Sequence, residues 1–199
     1  MSEQAEIIEK LASDHPWPIR KPDLGFNSSG WFPICNQNAL RRFLNENTKI
    51  VVELGAWVGL STRWLTSQAP NAKVITIDHW LGSPENKDDP LVPILYEQFI
   101  ANCWNYQSKI IPIRADTEIG IKKLKDSGLK PDLIYIDAGH DYKSAGRDLE
   151  ACMDFNCPLV GDDFNPNSWA GVVRAVWEEA NNGQRMLQVK GSAWMLTKE

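Results

Sequence analysis

The chain has 199 residues, of which 43% are hydrophobic, and a formal net charge of −5 at pH 7. That length and apolar content suit one compact domain, and we expect residues 1–199 to form a single domain. Lysine and arginine are scattered in ones and twos, which excludes the clustered basic face that nucleic-acid binding requires. No segment approaches the roughly 20 apolar residues that span a bilayer, and residues 1–12 lack the apolar core of a secretory signal. The sequence therefore predicts a cytoplasmic protein with neither a nucleic-acid nor a membrane partner.

Residues 1–38 are interpreted as an irregular N-terminal segment. Within it, residues 13–38 are rich in Pro, Gly, Ser and Asn, with the aromatic side chains of Trp17, Phe26 and Trp31 between them. That composition is typical of loops. Because a loop of this length in a compact domain is commonly functional, two interpretations stay open: a lid over a ligand, or a loop that packs on the core.

Beyond residue 38, strand-like and helix-like runs alternate along the chain. A first helix is expected over Ala39–Asn45. The expected parallel strands are Ile50–Leu54, Val74–Asp78, Ile110–Arg114, Leu133–Asp137 and Leu159–Gly161. The expected helices between and after them are Thr62–Ala69, Glu118–Asp126, Ser144–Phe155 and Ala170–Ala180. Such alternation is typical of right-handed βαβ units, and it predicts a mostly parallel sheet with helices on both faces.

Two further segments complete this plan. Met186–Val189 and Ala193–Leu196 flank a Lys-Gly-Ser turn, which predicts an antiparallel hairpin at the end of the sheet. Residues 81–108, between the second and third strands, form an insertion that is longer than a usual connection and contains an apolar-periodic helix around Leu91–Trp104. This insertion could shape a substrate pocket or provide the surface of a homodimer.

The loop after the first strand carries the first candidate ligand site, because ligands of open parallel sheets bind at the carboxyl ends of the strands. Gly55 allows a tight turn, and Gly59 allows the backbone to approach a ligand or the sheet. A dinucleotide fingerprint has a third glycine midway, where pyrophosphate needs bare backbone, but Trp57 stands there. The loop therefore favours a cofactor without phosphates, such as S-adenosylmethionine, over NAD. Tight packing without a ligand is the alternative.

The ends of the second and third strands add candidate cofactor contacts. Asp78, which is followed by His79, lies where a carboxylate binds ribose hydroxyls in Rossmann-type sites, although it could also be a turn residue or a helix cap. Asp116 is expected to cap the next helix, or else to bind the adenine amino group. The backbone around Ala115 could line the adenine pocket in either case.

Three segments together resemble the class I S-adenosylmethionine-dependent methyltransferases, and more narrowly the branch of macrocin-type sugar O-methyltransferases labelled methyltransferase family 24. These segments are Val51–Thr62, Ile136–Tyr142 and Gly161–Phe164, and the likeness covers residues 50–180. The resemblance implies an α/β, Rossmann-like three-layer sandwich with a mostly parallel seven-stranded sheet that ends in the antiparallel hairpin.

The resemblance also implies two ligands. S-adenosylmethionine would lie across the first strand end, in contact with Glu53, Gly55, Ala56, Trp57, Gly59, Ser61, Thr62, Asp78, His79, Ala115, Asp116 and Asp137. A magnesium ion, which the sugar-modifying members bind through aspartates, would be held here by Asp137, Asp162 and Asp163.

The residues themselves support a metal ion, because three carboxylates at neighbouring strand ends repel one another unless a cation neutralises them. Oxygen ligands suit a hard ion such as Mg²⁺, with Ca²⁺ or Mn²⁺ as alternatives. Asp162 and Asp163 could instead be ordinary loop or capping residues. In some magnesium-dependent relatives an acidic residue that looks like the catalytic base stands where this chain has Gly139. His140 and Asp141 are therefore the candidate bases, although His140 could also be a packed residue of the turn.

The predicted function is methyl transfer to a hydroxyl of a small molecule, such as a sugar, a vicinal diol or a catechol that can bind the ion. Two alternatives remain open: a metal-independent methyltransferase of the same fold, and a module that binds the nucleoside without catalysis. The acceptor itself cannot be read from the sequence, because a fold and a cofactor motif leave the other half of the site undetermined.

Overall fold

A computed structural model describes residues 2–183 and 185–198 of the chain. The helices are α1 (Glu3–Asp14), α2 (Ile34–Leu40), α3 (Leu60–Gln68), α4 (Leu95–Cys103), α5 (Thr117–Asp126), α6 (Tyr142–Met153) and α7 (Ala170–Asn182). The strands are β1 (Ile50–Leu54), β2 (Lys73–Asp78), β3 (Ile110–Arg114), β4 (Leu133–Ile136), β5 (Leu159–Gly161), β6 (Met186–Lys190) and β7 (Ala193–Thr197). None of the described helices is long and apolar enough to cross a membrane.

The strands form one seven-stranded sheet in the order β3-β2-β1-β4-β5-β7-β6. The first five strands are parallel, and the hairpin of β6 and β7 runs antiparallel to them. The order reverses between β1 and β4, which is the switch point where open α/β sheets bind their ligands. The predicted fold class is confirmed, and every predicted strand is present with bounds that agree within one residue.

Each face of the sheet is covered by a separate hydrophobic core. One core packs the sheet against α1, α5, α6 and α7, and the other packs it against α2, α3 and α4. Successive residues of a strand point to opposite faces, so that Val52 and Leu54 of β1 enter the first core while Val51 enters the second. Burial on both faces explains why the parallel strands read as continuous apolar runs.

The interpretation of residues 1–38 as irregular is wrong at both ends. Ser2 caps α1 by accepting a hydrogen bond from the backbone N–H of Ala5, and Leu11 anchors the helix in the first core. The helix expected over Ala39–Asn45 is α2 instead, and it begins directly after Pro33. Beyond α2 the chain turns, because the side chain of Asn45 accepts from the backbone N–H of Asn47 in a local turn.

The irregular residues between α1 and α2 are bound to the rest of the domain by side-chain hydrogen bonds. The Trp17 indole N–H donates to the carbonyl of Ile110 at 2.9 Å, and Gln98 donates to the carbonyl of Gly25 at 2.9 Å. Asn102 donates to the carbonyl of Asn27 at 2.7 Å. These contacts attach the segment to β3 and to α4.

The insertion at residues 81–108 contains α4 between two short 3₁₀ turns, Val92–Ile94 and Trp104–Tyr106. The expected helix over Leu91–Trp104 is therefore shorter, because 3₁₀ turns replace the α-helix at both ends. Leu95, Phe99 and Ile100 are buried in the second core. Helix α4 is consequently a core element that connects the insertion to the glycine loop.

A buried carboxylate between α5 and α6 predicts a pH-dependent stability. Asp148 is 2% exposed and accepts a hydrogen bond from Thr117 Oγ1 at 2.6 Å, and burial raises its pKa from 3.8 to about 6. The folded state therefore holds this proton more tightly than the unfolded state, so the stability from this group is full below about pH 4 and is lost as the pH rises through about 6.

We expect Asp148→Asn to raise the free energy of unfolding by roughly 2–3 kcal/mol at about pH 8 and to change it little at about pH 4. Urea denaturation at both pH values measures this difference. The exposed Asp126→Asn serves as the matched control on α5 and should have a small effect at either pH. Equal effects of Asp148→Asn at the two pH values would contradict the prediction.

Candidate active site

The glycine loop after β1 is held by the carboxylate at the end of β2. Asp78 Oδ2 accepts hydrogen bonds from the backbone N–H groups of Ala56 and Trp57, at 2.8 and 3.1 Å. Its Oδ1 accepts from the backbone N–H of Trp80 at 2.7 Å. Three of the four lone pairs of this carboxylate are thus used to shape two loops, and one remains on Oδ1.

The glycine loop also lies against the end of β4. Gly55 has a φ of +83°, and a Cβ at this position would overlap the carbonyl of Asp137. The turn therefore requires glycine for its backbone conformation and for this close approach. Leu54 and Ile136 are paired as the last residues of their strands, which is why the two loops emerge side by side.

Within residues 2–183 and 185–198, three residues other than glycine have a positive φ, and all three follow parallel strands: Trp57 at 48°, Trp80 at 52° and Asp163 at 67°. This conformation is unfavourable for large side chains and is commonly retained at functional sites. The Trp80 indole N–H donates to the carbonyl of Trp57 at 2.9 Å, so the two strained loops support each other.

Some of the predicted cofactor contacts lie inside the protein. Glu53 is fully buried and accepts a hydrogen bond from Thr62 Oγ1 at 2.5 Å, and burial raises its pKa to about 7. Ser61 is also buried in this first turn of α3. At Gly59, a Cβ would overlap the Cys103 sulfur of α4. Gly59 therefore serves the close packing of the loop on α4.

An acidic cluster occupies the ends of β4 and β5. Asp137, His140 and Asp163 each present a ligand atom, and these atoms lie within 4.8 Å of one another. His140 Nε2 lies 3.0 Å from Asp163 Oδ2. Asp162, expected beside them, is not in this group; its Oδ1 accepts the backbone N–H of Asp163 at 2.7 Å. The structure thus places a His140 nitrogen among the ligand atoms, and it pairs the Asp162 carboxylate with the backbone N–H of Asp163.

The cluster carries an excess of negative charge. Burial of its carboxyl, followed by the charges of Asp162 and Asp163, raises the pKa of Asp137 to about 8. Burial by itself lowers the pKa of His140, but its hydrogen bond with Asp163 and the charge of that residue raise it overall. Such a site is stabilised by any cation that binds between the carboxylates.

The other predicted site residues have local structural contacts. Asp141 caps α6 by accepting from the backbone N–H groups of Lys143 and Ser144, and its hydrogen bonds with Ser144 lower its pKa. Asp116 caps α5, as expected, by accepting from the backbone N–H of Glu118. Two further predicted residues take part in backbone contacts: the N–H of Ala115 donates to the carbonyl of Asp78, and His79 Nδ1 accepts from the N–H of Leu81.

Aromatic rings surround the strand ends. Trp169, at the start of α7, lies over His140 with ring centroids 4.2 Å apart. Trp31, which is 73% exposed, contacts Trp57 of the glycine loop with centroids 6.3 Å apart. The N-terminal segment therefore contributes an exposed ring next to the glycine loop.

Sequence reasoning missed Tyr135, which binds the acidic cluster, and Asn36, which binds Tyr135. Tyr135 donates its hydroxyl proton to Asp137 Oδ2 at 2.9 Å, and Asn36 Nδ2 donates to that hydroxyl oxygen at 3.0 Å. The two-residue period of a strand places Tyr135 on the same face as Asp137, and that signal could have identified it. No local pattern connects Asn36 to this site, because it lies 99 positions away in the sequence.

Comparison with solved structures identifies the class of the fold. CalS11, a TDP-rhamnose 3′-O-methyltransferase of calicheamicin biosynthesis, is 15% identical with a TM-score of 0.59, and the match covers 99% of this chain and 95% of that one. An O-methyltransferase from Bacillus cereus, solved with S-adenosylhomocysteine, is 15% identical with a TM-score of 0.57, covering 100% and 91%.

A third neighbour is the mycinamycin-pathway methyltransferase MycE, solved with Mg and S-adenosylhomocysteine. It is 14% identical with a TM-score of 0.54, and the match covers 96% of this chain but 48% of that one. This chain thus spans about half of MycE. No curated protein sequence matches the chain significantly.

The sheet order, the glycine loop at the switch point and these neighbours define the fold of class I S-adenosylmethionine-dependent methyltransferases. The profile of a family described as "Methyltransferase domain" matches residues 52–164, which is more than half of the chain. The chain belongs to this family of methyltransferases, as its resemblance to methyltransferase family 24 predicted.

The contact between Gly55 and Asp137 predicts a sharp stability difference between two glycine variants. We expect Gly55→Ala to lower the free energy of unfolding by at least about 3 kcal/mol, because the methyl group overlaps backbone and the φ is positive. Gly25→Ala is the control, since a Cβ there meets nothing within 4 Å, and it should change stability by less than about 0.5 kcal/mol. Urea denaturation measures both, and similar values for the two variants would refute the steric argument.

Proposed function

We propose that this chain transfers the methyl group of S-adenosylmethionine to a hydroxyl of a small molecule, with the help of a divalent metal ion such as Mg²⁺. The observation that carries this proposal is the contact of Gly55 with Asp137, which joins the glycine loop to the acidic cluster. A methyl donor on the loop and a hydroxyl acceptor at the cluster would then be neighbours, as in-line displacement requires.

The cofactor would lie over the loop at the carboxyl ends of β1 and β2. Asp78 would act mainly by fixing the loop, since most of its lone pairs bind backbone N–H groups, and the remaining one on Oδ1 could accept from a ribose hydroxyl. The positive φ of Trp57 supports this assignment, because a backbone conformation that is unfavourable for a large side chain is commonly retained at ligand-binding sites.

The acidic cluster fits a hard divalent ion. Asp137 and Asp163 supply carboxylate oxygens within 4.8 Å of each other, and the nearby Asp162 adds negative charge. Since Mg²⁺ prefers oxygen to nitrogen, we assign the two carboxylates to the ion, with Asp162 as a supporting charge. When bound, such an ion lowers the pKa of a hydroxyl that coordinates it.

His140 is the best-placed group to accept the proton of the acceptor hydroxyl. Its Nε2 donates to the Asp163 carboxylate, which fixes the orientation of the ring and would stabilise the imidazolium, and Trp169 packs over its face. The nitrogen that would accept the proton is Nδ1, which is buried and has no hydrogen-bond partner among the described residues. Asp141 is a weaker candidate, because its carboxylate is occupied by the cap of α6 and its pKa is lowered. The proposal therefore assigns the proton to His140 and gives Asp141 a structural role.

The class of acceptor is supported by two observations. The exposed Trp31 and the ring of Trp169 offer flat apolar surfaces on which a sugar or aromatic ring can pack. The neighbour CalS11 is described as a rhamnose O-methyltransferase, and MycE was solved with Mg. Both favour a ring that carries hydroxyl groups as the substrate.

Calorimetry of the native chain tests the two ligands separately. We expect S-adenosylhomocysteine to bind with a dissociation constant on the order of micromolar. Asp78→Ala should weaken it at least about tenfold, because the glycine loop loses two hydrogen bonds and the loop after β2 loses a third. Asp163→Asn should weaken Mg²⁺ or Mn²⁺ binding by a similar factor and leave S-adenosylhomocysteine binding unchanged.

Each result of this titration has a distinct meaning. Cofactor binding with turnover but without metal binding would favour a metal-independent methyltransferase. Cofactor binding with no turnover on any hydroxyl acceptor would favour a non-catalytic module. Failure of the native chain to bind S-adenosylhomocysteine would overturn the proposal as a whole.

The role of His140 is tested by His140→Gln, which keeps a hydrogen-bonding group beside Asp163. Once an acceptor is found, we expect kcat to fall about 10²- to 10⁴-fold, with the affinities for Mn²⁺ and S-adenosylhomocysteine preserved. His15→Gln is the matched control, since His15 follows α1 and contacts Lys123 rather than the strand ends, and it should keep kcat within a few-fold. Loss of Mn²⁺ binding in His140→Gln would show instead that this side chain is a metal ligand.

A further inference from the structure

A buried chain of hydrogen bonds runs from the N-terminal segment to the acidic cluster. Asn36 on α2 and Tyr135 on β4 are both 0% exposed, and together they end on Asp137 Oδ2. Burying an amide and a phenol is costly unless both are paired. The two side chains are paired with each other, and the pair gives the carboxylate of Asp137 a defined hydrogen-bond donor.

The direction of the chain is set by the chemistry of its members. The Asn36 Nδ2 group only donates, so the Tyr135 oxygen accepts from it and the phenol proton lies toward Asp137. The phenol has one proton to donate, and Asp137 Oδ2 lies 2.9 Å from its oxygen as the acceptor. One oxygen of Asp137 thereby has a permanent donor.

We infer that Tyr135 and Asn36 are positioning residues, which hold the carboxylate of Asp137 in the orientation that binds the metal ion. This inference rests on the proposed function and adds the residues that support its metal site. A ligand whose rotamer is fixed by an outer hydrogen bond binds its ion more tightly, because less freedom is lost on binding. Both would act through the carboxylate of Asp137, and neither is assigned as a ligand of the ion.

The packing around Tyr135 explains how α2 contributes. Phe32, two residues before α2, lies edge-on to the Tyr135 ring with centroids 5.9 Å apart, and Leu40 anchors the helix in the second core. The ring is thus fixed from the N-terminal side while its hydroxyl reaches Asp137. The N-terminal segment thus contacts the proposed metal site through the hydrogen bond of Asn36 with Tyr135. It also places the exposed Trp31 beside the glycine loop.

Titration with Mn²⁺, followed by electron paramagnetic resonance of the free ion, tests this role. We expect Tyr135→Phe to weaken Mn²⁺ binding about 10- to 100-fold while S-adenosylhomocysteine binds as to the native chain. Asn36→Ala should weaken Mn²⁺ binding less, because Tyr135 can still donate. The double variant should bind Mn²⁺ no more weakly than Tyr135→Phe, since Asn36 acts through the phenol.

A matched control separates positioning from stability. Val51→Ala removes a fully buried side chain of the same core on β1, and it should lower the unfolding temperature while Mn²⁺ affinity stays unchanged. All titrations are made well below the unfolding temperature of each variant. Equal loss of Mn²⁺ affinity in Val51→Ala and Tyr135→Phe would overturn the inference.

The remaining outcomes are distinct from failure of the proposed function. Native Mn²⁺ affinity in Tyr135→Phe would overturn the inference and leave the proposed metal site intact. Additive effects in the double variant would show that Asn36 does not act through Tyr135. Absence of Mn²⁺ binding by the native chain would remove the metal ion from the proposed function and the inference with it, while S-adenosylhomocysteine binding would still support the methyltransferase assignment.

Discussion

The contact between the backbone of Gly55 and the carbonyl of Asp137 is the constraint on which the site depends. Strands β1 and β4 are parallel neighbours that end at the same level, so their loops leave the sheet side by side. Only a residue without a Cβ fits where they touch. This contact lies at the switch point of the strand order, and it brings the glycine loop and the acidic cluster next to each other.

The strain at the strand ends is balanced by a small number of hydrogen bonds. Trp57, Trp80 and Asp163 adopt a conformation that costs about 1–3 kcal/mol for each side chain. Asp78 compensates for the first two by accepting three backbone N–H groups, and the indole of Trp80 binds the carbonyl of Trp57. Rigid loops of this kind are ready to bind a ligand without a further ordering cost.

The acidic cluster combines repulsion with support. Burial and then the neighbouring carboxylates raise the pKa of Asp137, while His140 binds Asp163 and the phenol of Tyr135 binds Asp137. The N-terminal segment takes part through Asn36, so residues that precede the matched methyltransferase domain contribute to its site. Even with these hydrogen bonds the cluster keeps an excess of negative charge, which a bound cation would neutralise.

The sequence by itself determined the strands, their mostly parallel direction and the glycine loop, because period, turn residues and strand ends are properties of contiguous residues. Only the tertiary structure decided that Gly59 packs on α4, that His140 rather than Asp162 joins the ligand atoms, and that Asn36 reaches Tyr135. It also decided that Asp78 binds backbone, a role that cannot be distinguished from ribose binding by position. In each case the partner is distant in the chain or the rotamer depends on packing, and neither is encoded in a local pattern.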